Sequence, residues 1–466
     1  MARRRRMLVA GTGVAGSAAA RALLRRGLAV TVVDRTASPA TEALATEGAD
    51  VVIADEPPPG LLDGVSEVVV SPGIPPHHPL PVAAAAAGLE VYSEPELAWR
   101  LRAPEGPPWL AVTGTNGKTT AVSMLAAIIT AAGLRTAALG NIGEPLVFAA
   151  TDPGYDALAV ELSSQQLHWS RTLAPRYGAV LNLAEDHLEW HGGFPAYTRA
   201  KVAIWRSAAG TAPGRGGPGG VAVGNLDDPL VAADLAEVAG RTVGFTLGEP
   251  EAGQLGVAGG MLVDRAFAAS PVPLAEVASV RPAGAHHVAN ALAAAALARA
   301  YGIPAQAVAR GLRDYQPQPH RNAFVATVGE VGYVDDSKAT NPHAALASLT
   351  AYPTVVWIAG GQLKGVEVDD LVAQVADRLA GAVLLGVDRA VLAGSLARHA
   401  PKVPVVEIDG DDDGVMSQVV AAAAELAAPG HTVLLAPAAA SRDMFTDYAH
   451  RGRAFAAAVA DLAARR

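Results

Sequence analysis

Residues 109–120 read WLAVTGTNGKTT, an apolar run followed by a glycine-rich loop and the start of an alanine-rich helical pattern. The backbone amides of such a loop can hold phosphate groups, Lys118 adds a positive charge, and a threonine hydroxyl can bind Mg²⁺. The common form of this loop has a glycine five residues before its final Gly-Lys pair, where this chain has Val112. The shorter spacing is typical of a distinct subgroup of ATP-using enzymes. The alternative is a glycine-rich turn with an incidental lysine.

The alternation of short apolar runs with helical stretches continues on both sides of this loop. This rhythm is typical of parallel sheets covered by helices, so we predict an α/β protein. Two proline-rich segments, residues 102–108 and 315–320, each precede a new strand-like run and divide the chain. The predicted domains span residues 1–104, 105–317 and 318–466. The Gly/Pro-rich residues 210–220 predict a mobile surface loop inside the middle domain.

Composition excludes several classes of protein. The chain has 466 residues, a net charge of -9 and no cysteine, which excludes a disulfide framework and thiolate chemistry. No long basic tract follows residue 6, so nucleic acid is not the expected partner, and no run of ~20 apolar residues predicts a membrane span. Residues 1–6, MARRRR, imitate the start of a secretory signal, but glycines and Arg21 interrupt the apolar stretch that follows. A cytoplasmic protein is therefore expected.

The interrupted stretch instead predicts a strand at 7–10, a turn through Gly11, Gly13 and Gly16, and a helix. Asp34 ends the next predicted strand. Such a turn can hold the diphosphate of NAD, FAD or a UDP-sugar, while the acid accepts from a ribose hydroxyl. The alternative is a tight turn without a ligand. Residues 71–74, SPGI, follow another predicted strand, where an open α/β sheet places ligand loops, although a plain proline turn is an equal alternative.

Acidic residues and a histidine follow two strands of the middle region. Glu161 comes after an apolar strand, and Asp186-His187 follows the strand predicted at 179–183. Mg²⁺ prefers oxygen ligands, which Glu161 would supply, whereas a histidine ligand is less usual. The alternative is a pair of strand-end caps. Lys201 lies on a predicted helix, and the local sequence pattern alone favours a lysine exposed to solvent at the surface, as most lysines are.

Three polar segments follow strands of the C-terminal region, namely residues 335–341 (DDSKATN), 360–364 (GGQLK) and 441–443 (SRD), and Arg321 lies just before them. Any one of these segments could be a simple turn. Three such segments with cations and hydroxyls at strand ends together favour an anionic substrate.

The motifs together resemble those of the Mur ligases, in the same order along essentially the whole chain. The matching segments are SPGI (71–74), TGTNGKTT (113–120), GNIGEP (140–145), ELSSQQL (161–167), LNLAEDHLEWH (181–191), YTRAK (197–201), NLDD (225–228), HHVAN (286–290), PHR (319–321), DDSKATNPHAA (335–345), GGQLK (360–364) and APAAASRDMF (436–445). SPGI and DDSKATN resemble the glutamate-adding branch of that family in particular. No DNPR-like segment, expected of the diaminopimelate- or lysine-adding branches, is present.

The resemblance implies a monomeric, cytoplasmic, ATP-dependent ligase that forms an amide bond through an acyl phosphate, in peptidoglycan precursor synthesis. It implies a Rossmann-like N-terminal domain, a central P-loop-type ATPase domain and a Rossmann-like C-terminal domain. The substrates would be ATP, UDP-N-acetylmuramoyl-L-alanine and D-glutamate, although the residues do not fix the hand of glutamate. Two Mg²⁺ ions and a carbamylated lysine would serve as cofactors.

The resemblance also implies residue roles. The UDP-substrate would contact Gly13, Val14, Ala15, Asp34, Arg35, Gly73 and Asn141. ATP would contact Gly114, Thr115, Asn116, Gly117, Lys118, Thr119, Thr120, Asn290, Arg321 and Asp336. The metal would be held by Thr119, Glu161, His187 and carbamylated Lys201. The catalytic residues would be Lys118, His187, Lys201 and Lys338, and glutamate would be held by Thr340, Lys364, Ser441 and Tyr448.

Three positions depart from the family pattern. His287 stands where an asparagine is expected near adenine, and Tyr448 where a phenylalanine is expected near glutamate. Gln362-Leu363 stands where an aspartate with glycine or lysine is more usual before the lysine of GGQLK. Other hypotheses account for less of the chain. A folylpolyglutamate synthase would lack the N-terminal UDP-type domain. An NAD-dependent dehydrogenase would leave TGTNGKTT and DDSKATN unexplained. A non-catalytic nucleotide-binding scaffold is a third alternative, which absence of phosphate release with every candidate acceptor would favour.

Overall fold

The computed structural model of the chain describes residues 5–210, 219–410 and 414–465. Three sheets follow one another along this part of the chain, and helices cover them. The predicted α/β fold is thereby confirmed. The loop predicted at 210–220 lies, apart from its ends, outside the described residues, as do residues 1–4 of the arginine-rich start.

Five parallel strands form the first sheet: β1 (Arg6–Ala10), β2 (Ala29–Asp34), β3 (Asp50–Ile53), β4 (Val65–Val70) and β5 (Glu90–Tyr92). The helices between and after them are α1 (Val14–Leu24), α2 (Pro39–Thr46), α3 (Pro79–Ala86) and α4 (Glu94–Leu101). The order is β3-β2-β1-β4-β5, so the strand order reverses at β1. The loops after β1 and β4 therefore flank the crevice in which such sheets bind ligands.

Nine strands form the second sheet: β6 (Trp109–Thr113), β7 (Ala138–Gly140), β8 (Leu158–Glu161), β9 (Tyr177–Val180), β10 (Val221–Asn225), β11 (Arg241–Phe245), β12 (Gln254–Ala258), β13 (Met261–Asp264) and β14 (Val272–Glu276). Their order is β14-β13-β12-β11-β10-β9-β6-β8-β7. The β12–β13 and β13–β14 pairs are antiparallel, and the other strand pairs of this described sheet are parallel. The fully buried β6 lies between β8 and β9, so the loops after these three strands meet at one edge.

The helices of this region are α5 (Lys118–Ala131), α6 (Leu146–Ala149), α7 (Ser164–His168), α8 (Leu188–His191), α9 (Phe194–Val202), α10 (Pro229–Ala236), α11 (Ala285–Tyr301) and α12 (Ala305–Asp314). Short 3₁₀ turns follow at Ala203–Trp205 and Val277–Ser279. Helix α5 is largely buried, because its apolar residues pack against β8 and α12. This packing fixes the N-terminus of α5, where the phosphate loop ends.

Six strands form the third sheet: β15 (Ala323–Val328), β16 (Val331–Asp335), β17 (Val355–Gly360), β18 (Leu379–Leu385), β19 (Val405–Glu407) and β20 (Thr432–Leu435). Its helices are α13 (Pro342–Leu349), α14 (Asp369–Val375), α15 (Arg389–His399), α16 (Val415–Leu426) and α17 (Tyr448–Arg465), with a 3₁₀ turn at Ala376–Arg378. The order is β15-β16-β20-β17-β18-β19, and β15 is antiparallel to β16. The three polar segments predicted at the C-terminal region follow the neighbouring strands β16, β20 and β17.

The described chain divides into two compact units. The first comprises the described part of Met1–Ser279 together with Ala289–Tyr315, and the second comprises Val280–Val288 with the described part of Gln316–Arg466. The first two sheets belong to one unit because a single apolar cluster contains residues of both, from Val9 and Leu97 to Trp109 and Val147. The domain boundaries at 104/105 and 317/318 stay predictions.

Some predicted element ends were wrong. The strand predicted to reach Leu183 ends at Val180, because Asn182 turns its carbonyl to the amide of Thr115. The helix predicted after the phosphate loop begins at Lys118, and the one predicted after the first glycine turn begins at Val14, inside that turn. In the described residues no helix is both long and apolar enough to cross a membrane.

Candidate active site

The phosphate loop connects β6 to α5 in a conformation that needs glycine. Gly117 caps α5 with a φ of 83°, a left-handed value that costs glycine little. A Cβ on Gly117 would collide with the side chain of the buried Asn290, so Asn290 lies directly against the loop. The structure therefore places Asn290, for which the resemblance implies a contact with ATP, directly beside the phosphate loop. Thr119 and Thr120 lie in the first turn of α5 and are buried.

Asn182, two residues after the end of β9, holds the phosphate loop in place. No role for Asn182 was predicted from the sequence. Its carbonyl accepts from Thr115 N at 3.0 Å, and its Oδ1 accepts from Asn116 N at 2.8 Å. Its amide donates back to Asn116 O at 3.2 Å. Thr115 Oγ1 is also 2.8 Å from the hydroxyl of Tyr197. A polar residue at a strand end beside the loop was the available signal for Asn182.

Two lysines converge on one carbonyl of this loop. Lys118 Nζ donates to Gly114 O at 2.8 Å and to Thr115 O at 2.9 Å. Lys201 Nζ donates to the same Gly114 O at 2.6 Å. Lys201 is only 2% exposed, so the surface interpretation of its spacing was wrong. Helix α9 turns this side chain inward, which a helical pattern with no strong apolar face could not indicate.

The same geometry shifts the proton affinity of Lys201. Burial, and next the positive charge of Lys118, lower the pKa of Lys201 well below its ordinary value. Asp186 and Glu161 oppose this shift without cancelling it. Deprotonation to the neutral, nucleophilic form is therefore easier for Lys201 than for an exposed lysine.

A cavity of about 330 Å³ opens beside the two lysines. Six predicted site residues line it, namely Gly73, Thr115, Lys118, Asn141, His187 and Lys201. It is also lined by unassigned residues, namely Pro72, Ser163, Ser164, Gln165, Asp186 and Tyr197. Since Pro72 and Gly73 come from the loop after β4, the first sheet supplies one wall and the second sheet the rest.

Among the candidate metal ligands, His187 and Lys201 line this cavity, and Glu161 contacts Asn141, which lines it. Glu161 is the last residue of β8 and 1% exposed, and its Oε1 accepts from Asn141 Nδ2 at 2.9 Å. Its Oε2 is buried without a hydrogen-bond partner among the described residues. His187 has a φ of 52° and a half-exposed ring, with Nε2 3.5 Å from Asp186 Oδ2.

An unpartnered carboxylate oxygen in the interior is costly unless a cation or donor binds it, so Glu161 fits a divalent metal. No cluster of three or more histidine or acidic side chains suited to a metal occurs in the described residues. Further ligands would therefore have to be oxygens of another kind, such as water, substrate phosphate or a modified lysine. Thr119, the remaining predicted ligand, does not line the described cavity.

The glycine turn after β1 forms a second, smaller site. A Cβ on Gly16 would collide with the carbonyl of Gly11, which explains the glycine there. Asp34 Oδ2 accepts from both Thr12 N and Thr12 Oγ1 at 2.6 Å. Burial alone would raise the pKa of Asp34, but these hydrogen bonds outweigh it and lower the pKa. Asp34 thus holds the turn, a task not foreseen from the sequence.

The residues predicted to bind the UDP-substrate lie in three separate places in the first unit. Asp34 and Arg35 line a cavity of about 130 Å³, which also includes Asp55 and Glu56. Gly73 and Asn141 line the larger cavity instead. Gly13 caps α1, and Val14 and Ala15 begin that helix, where free backbone amides face outward. These last three line neither of the two cavities.

In the second unit, the segment after β16 carries Asp336, Lys338 and Thr340. Asp336 Oδ1 accepts from Asn322 N at 3.1 Å. Burial raises the pKa of Asp336 to about 6, against the opposing effects of hydrogen bonds and of Arg321. Lys338 Nζ lies 4.1 Å from the centre of the Tyr448 ring, and Thr340 N donates to Lys338 O. Candidate ATP and glutamate residues therefore lie side by side.

The other two glutamate candidates lie on paired loops. Gln362 N donates to Ala440 O at 2.8 Å, and Ala440 N donates to Gln362 O at 3.0 Å. This pairing joins the loop of Lys364, which has a φ of 55°, to the loop of the buried Ser441. The predicted residues thus occupy three adjacent strand ends of one sheet.

Arg451 on α17 fastens these loops together and was missed from the sequence. It is 1% exposed, and its Nε donates to Ser337 Oγ at 3.0 Å. Its guanidinium nitrogens donate to Gly360 O at 3.2 Å, Ser337 O at 3.0 Å and Ala439 O at 3.1 Å. One side chain therefore joins the loops after β16, β17 and β20.

Comparison with known proteins adds to this geometry. The model of the Mur ligase middle domain matches residues 112–298, and the model of the Mur ligase MurD-like N-terminal domain matches residues 5–93. The UDP-N-acetylmuramoylalanine–D-glutamate ligase of Thermobifida fusca is 53% identical, over 99% of this chain and 99% of the relative. The enzyme of the same name from Streptomyces avermitilis is 53% identical over 98% of each chain.

Solved structures agree on the fold. The crystal structure of UDP-N-acetylmuramate–alanine ligase from Thermotoga maritima covers 99% of this chain and is itself covered completely, with a TM-score of 0.58 at 17% identity. The family models cover the loops that hold the two lysines, Glu161 and Asn290, and the curated relatives extend the match through the third sheet. The chain belongs to the Mur ligase family, and within it to the branch of the UDP-N-acetylmuramoylalanine–D-glutamate ligases.

Proposed function

We propose that this chain joins D-glutamate to UDP-N-acetylmuramoyl-L-alanine at the expense of ATP, in peptidoglycan precursor synthesis. One observation carries the proposal, namely that Lys118 and Lys201 meet at Gly114 O beside a cavity walled by both sheets of the first unit. A phosphate loop alone would suit any ATPase. A phosphate loop that shares its cavity with the loop after β4 can bring a nucleotide-linked acceptor to ATP.

The chemistry requires two anions to meet. An acceptor carboxylate oxygen bonds to the γ-phosphorus of ATP while the bond to the β-phosphate oxygen breaks, giving an acyl phosphate and ADP. Lys118, at the N-terminus of α5, offsets the charge of both reactants and of the transferred group. The neutral amine of glutamate then attacks the carbonyl carbon, phosphate leaves, and the amine releases a proton. Enclosure protects the acyl phosphate from water.

Mg²⁺ would be held by Glu161 and His187 together with phosphate oxygens, and two ions are proposed. Bound there, the metal would neutralise phosphate charge. Lys201 is proposed to carry a carbamate, since its neutral amine can add carbon dioxide with loss of one proton. The buried position and lowered pKa of Lys201 favour that reaction. The new carboxylate would offset the charge of Lys118 and supply an oxygen ligand in addition to Glu161.

The remaining predicted residues complete the substrate sites. Asp34 and Arg35 would contact the uridine part of the acceptor, and Gly73 and Asn141 the part nearest its carboxylate. Arg321, Asp336 and Lys338 are further proposed contacts of ATP. The cations and hydroxyls at the ends of β16, β17 and β20 suit the two carboxylates of glutamate, with Thr340, Lys364, Ser441 and Tyr448 as the contacts. We propose a monomer that works in the cytoplasm, where both nucleotides occur.

The test is phosphate release from ATP with UDP-N-acetylmuramoyl-L-alanine, comparing D-glutamate, L-glutamate and no amino acid. We expect release that depends on both the acceptor and D-glutamate. Release with L-glutamate alone would keep the mechanism but change the amino-acid substrate. Absence of release with either amino acid would refute the proposed substrates.

A further inference from the structure

Two indole groups of the central domain hold the SPGI loop that follows β4. Trp190 Nε1 donates to Gly73 O at 3.2 Å, and Trp169 Nε1 donates to Ile74 O at 3.0 Å. The acceptors are consecutive carbonyls, so the two indoles fix the orientation of the peptide between them. Because Gly73 lines the larger cavity, this orientation shapes one of its walls.

Trp169 is itself fixed to the first sheet at a second point. Its backbone carbonyl accepts from Ser93 N at 3.0 Å, so it contacts the segments after both β4 and β5. Just beyond it, the buried carboxylate of Glu96 accepts from the backbone amides of Thr172 and Leu173 at 3.0 and 2.9 Å. The segment that carries Trp169 is therefore anchored independently of the SPGI loop and can serve as a fixed support for it.

The indoles belong to an aromatic cluster that reaches a second residue of the cavity lining. The ring of His168 packs edge-on against Trp169 and Trp190, with centroids 5.0 and 5.1 Å apart. Trp190 contacts His191 at 4.5 Å, and His191 Nε2 lies 3.0 Å from Ser164 Oγ. Ser164 lines the cavity as Gly73 does. The cluster thus connects two walls that approach a ligand from different sheets.

We infer that Trp169 and Trp190 are positioning residues for the nucleotide-linked acceptor, because they keep the SPGI loop in its binding conformation before the acceptor arrives. The inference rests on the proposed function and deepens it by naming what sets acceptor affinity. Without an indole donor the loop populates other conformations, and the apparent affinity for the acceptor falls in proportion to the fraction of molecules that keep the binding conformation. ATP, held by the phosphate loop, is not affected in this way.

The test uses Trp190→Phe and Trp169→Phe in the full chain, each of which keeps an aromatic ring and removes one donor. We expect the KM for UDP-N-acetylmuramoyl-L-alanine to rise about three- to tenfold for each variant. The KM for ATP and the thermal midpoint should change little. Trp205→Phe is the matched control, since Trp205 Nε1 also donates to a backbone carbonyl, Gly178 O at 3.0 Å, inside the second sheet.

Binding measured without ATP separates positioning from a general loss of structure. Titration of the acceptor should change the tryptophan emission of the wild type and of Trp205→Phe. Calorimetric titration, which does not depend on the indoles, should show that both single variants and the double variant at positions 169 and 190 bind the acceptor more weakly than the wild type. Equal rises in both KM values, or unchanged acceptor binding in both single variants, would overturn the inference. A wild-type protein that does not release phosphate would instead refute the proposed function.

Discussion

Lys201 in the first compact unit and Arg451 in the second are both buried basic side chains held by backbone carbonyls, but they differ in how many partners they have. Lys201 Nζ donates to Gly114 O, and a second amine, that of Lys118, lies beside it. Arg451 donates to three carbonyls and one hydroxyl. Burial lowers the pKa of Lys201 well below its ordinary value and that of Arg451 to about 10.

The difference distinguishes a side chain suited to reaction from one suited to structural support. A guanidinium with nearly all its donors used inside the fold stays charged at neutral pH and holds three loops in place. An amine with one carbonyl partner, a like charge beside it and a cavity in front of it is poorly stabilised as a cation. Such a group is available for reaction, whereas Arg451 is available only for positioning.

The largest expected effect comes from substituting Lys118, the second lysine that lines the cavity beside Lys201. Lys118→Ala should lower turnover by about a thousandfold or more, because the meeting of two anions loses its compensating charge. The fold should survive, since the ammonium donates to Gly114 O and Thr115 O within its own loop, and the packing of α5 does not depend on these bonds. Phosphate release and the thermal midpoint are the measurements. Lys402→Ala, at an exposed lysine of the second unit, is the control, and near-normal turnover of Lys118→Ala would contradict the assignment.

A paired substitution sharpens the contrast between the two buried cations. Lys201→Met should leave the free energy of unfolding within about 1 kcal/mol of wild type or raise it, because a poorly compensated amine is removed. Arg451→Met should lower it by about 3–5 kcal/mol, because several buried carbonyls lose their donors. Urea unfolding of the ligand-free proteins gives both values.

Substitutions at the same two residues should affect activity in a different order from stability. Lys201→Met should lose turnover although it stays folded, because its amine is the group proposed to become a carbamate. Arg451→Lys, which keeps the charge but not the fork of donors, should raise the KM for D-glutamate more than that for the acceptor. If Lys201→Met proves the less stable of the two methionine variants, the distinction between reactive and supporting cations fails.

The sequence indicated the features whose chemistry is local. The phosphate loop, the strand-end motifs and the α/β order are each contained in a dozen neighbouring residues, and the structure bears out the fold and brings Lys118, His187 and Lys201 to one cavity. The family resemblance, not the spacing, pointed to Lys201. Its burial depends on how α9 packs, which no local pattern encodes.

The features that were missed depend on contacts between distant segments. Arg451 binds Ser337, 114 residues away, and Trp190 binds Gly73, 117 residues away. In the sequence each reads as an ordinary helical or loop residue. Asp34 was assigned to a ribose hydroxyl, yet two short hydrogen bonds from Thr12 engage one of its oxygens. Only the folded chain shows which polar groups already have partners.

The comparison extends to buried acids at the start of α4. Glu96 accepts from the amides of Arg171, Thr172 and Leu173, from the Thr172 hydroxyl and from Arg100. Glu94 is just as buried but accepts from Val147 N at 2.6 Å. Burial raises the pKa of Glu94 from 4.5 to about 7, and the Val147 amide opposes this only in part. Glu94 is therefore the acidic counterpart of Lys201.

The smallest predicted effect follows from that pKa. Because the folded state binds the Glu94 proton more tightly than the unfolded state, ionisation costs stability: the cost is absent below about pH 4.5, grows up to about pH 7 and is complete above it. Glu94→Gln keeps an acceptor for Val147 N and cannot ionise. Its unfolding free energy relative to wild type should therefore increase between pH 5 and pH 8, by at most ~3 kcal/mol. Any constant cost of the added amide cancels in this difference.

Urea unfolding at pH 5, 6, 7 and 8 gives the profile, and Glu96→Gln, which weakens a well-partnered carboxylate, should be destabilised at neutral pH instead. A flat profile for Glu94→Gln would mean that Glu94 ionises in the fold as easily as in the unfolded chain, and that partner number does not distinguish the two acids.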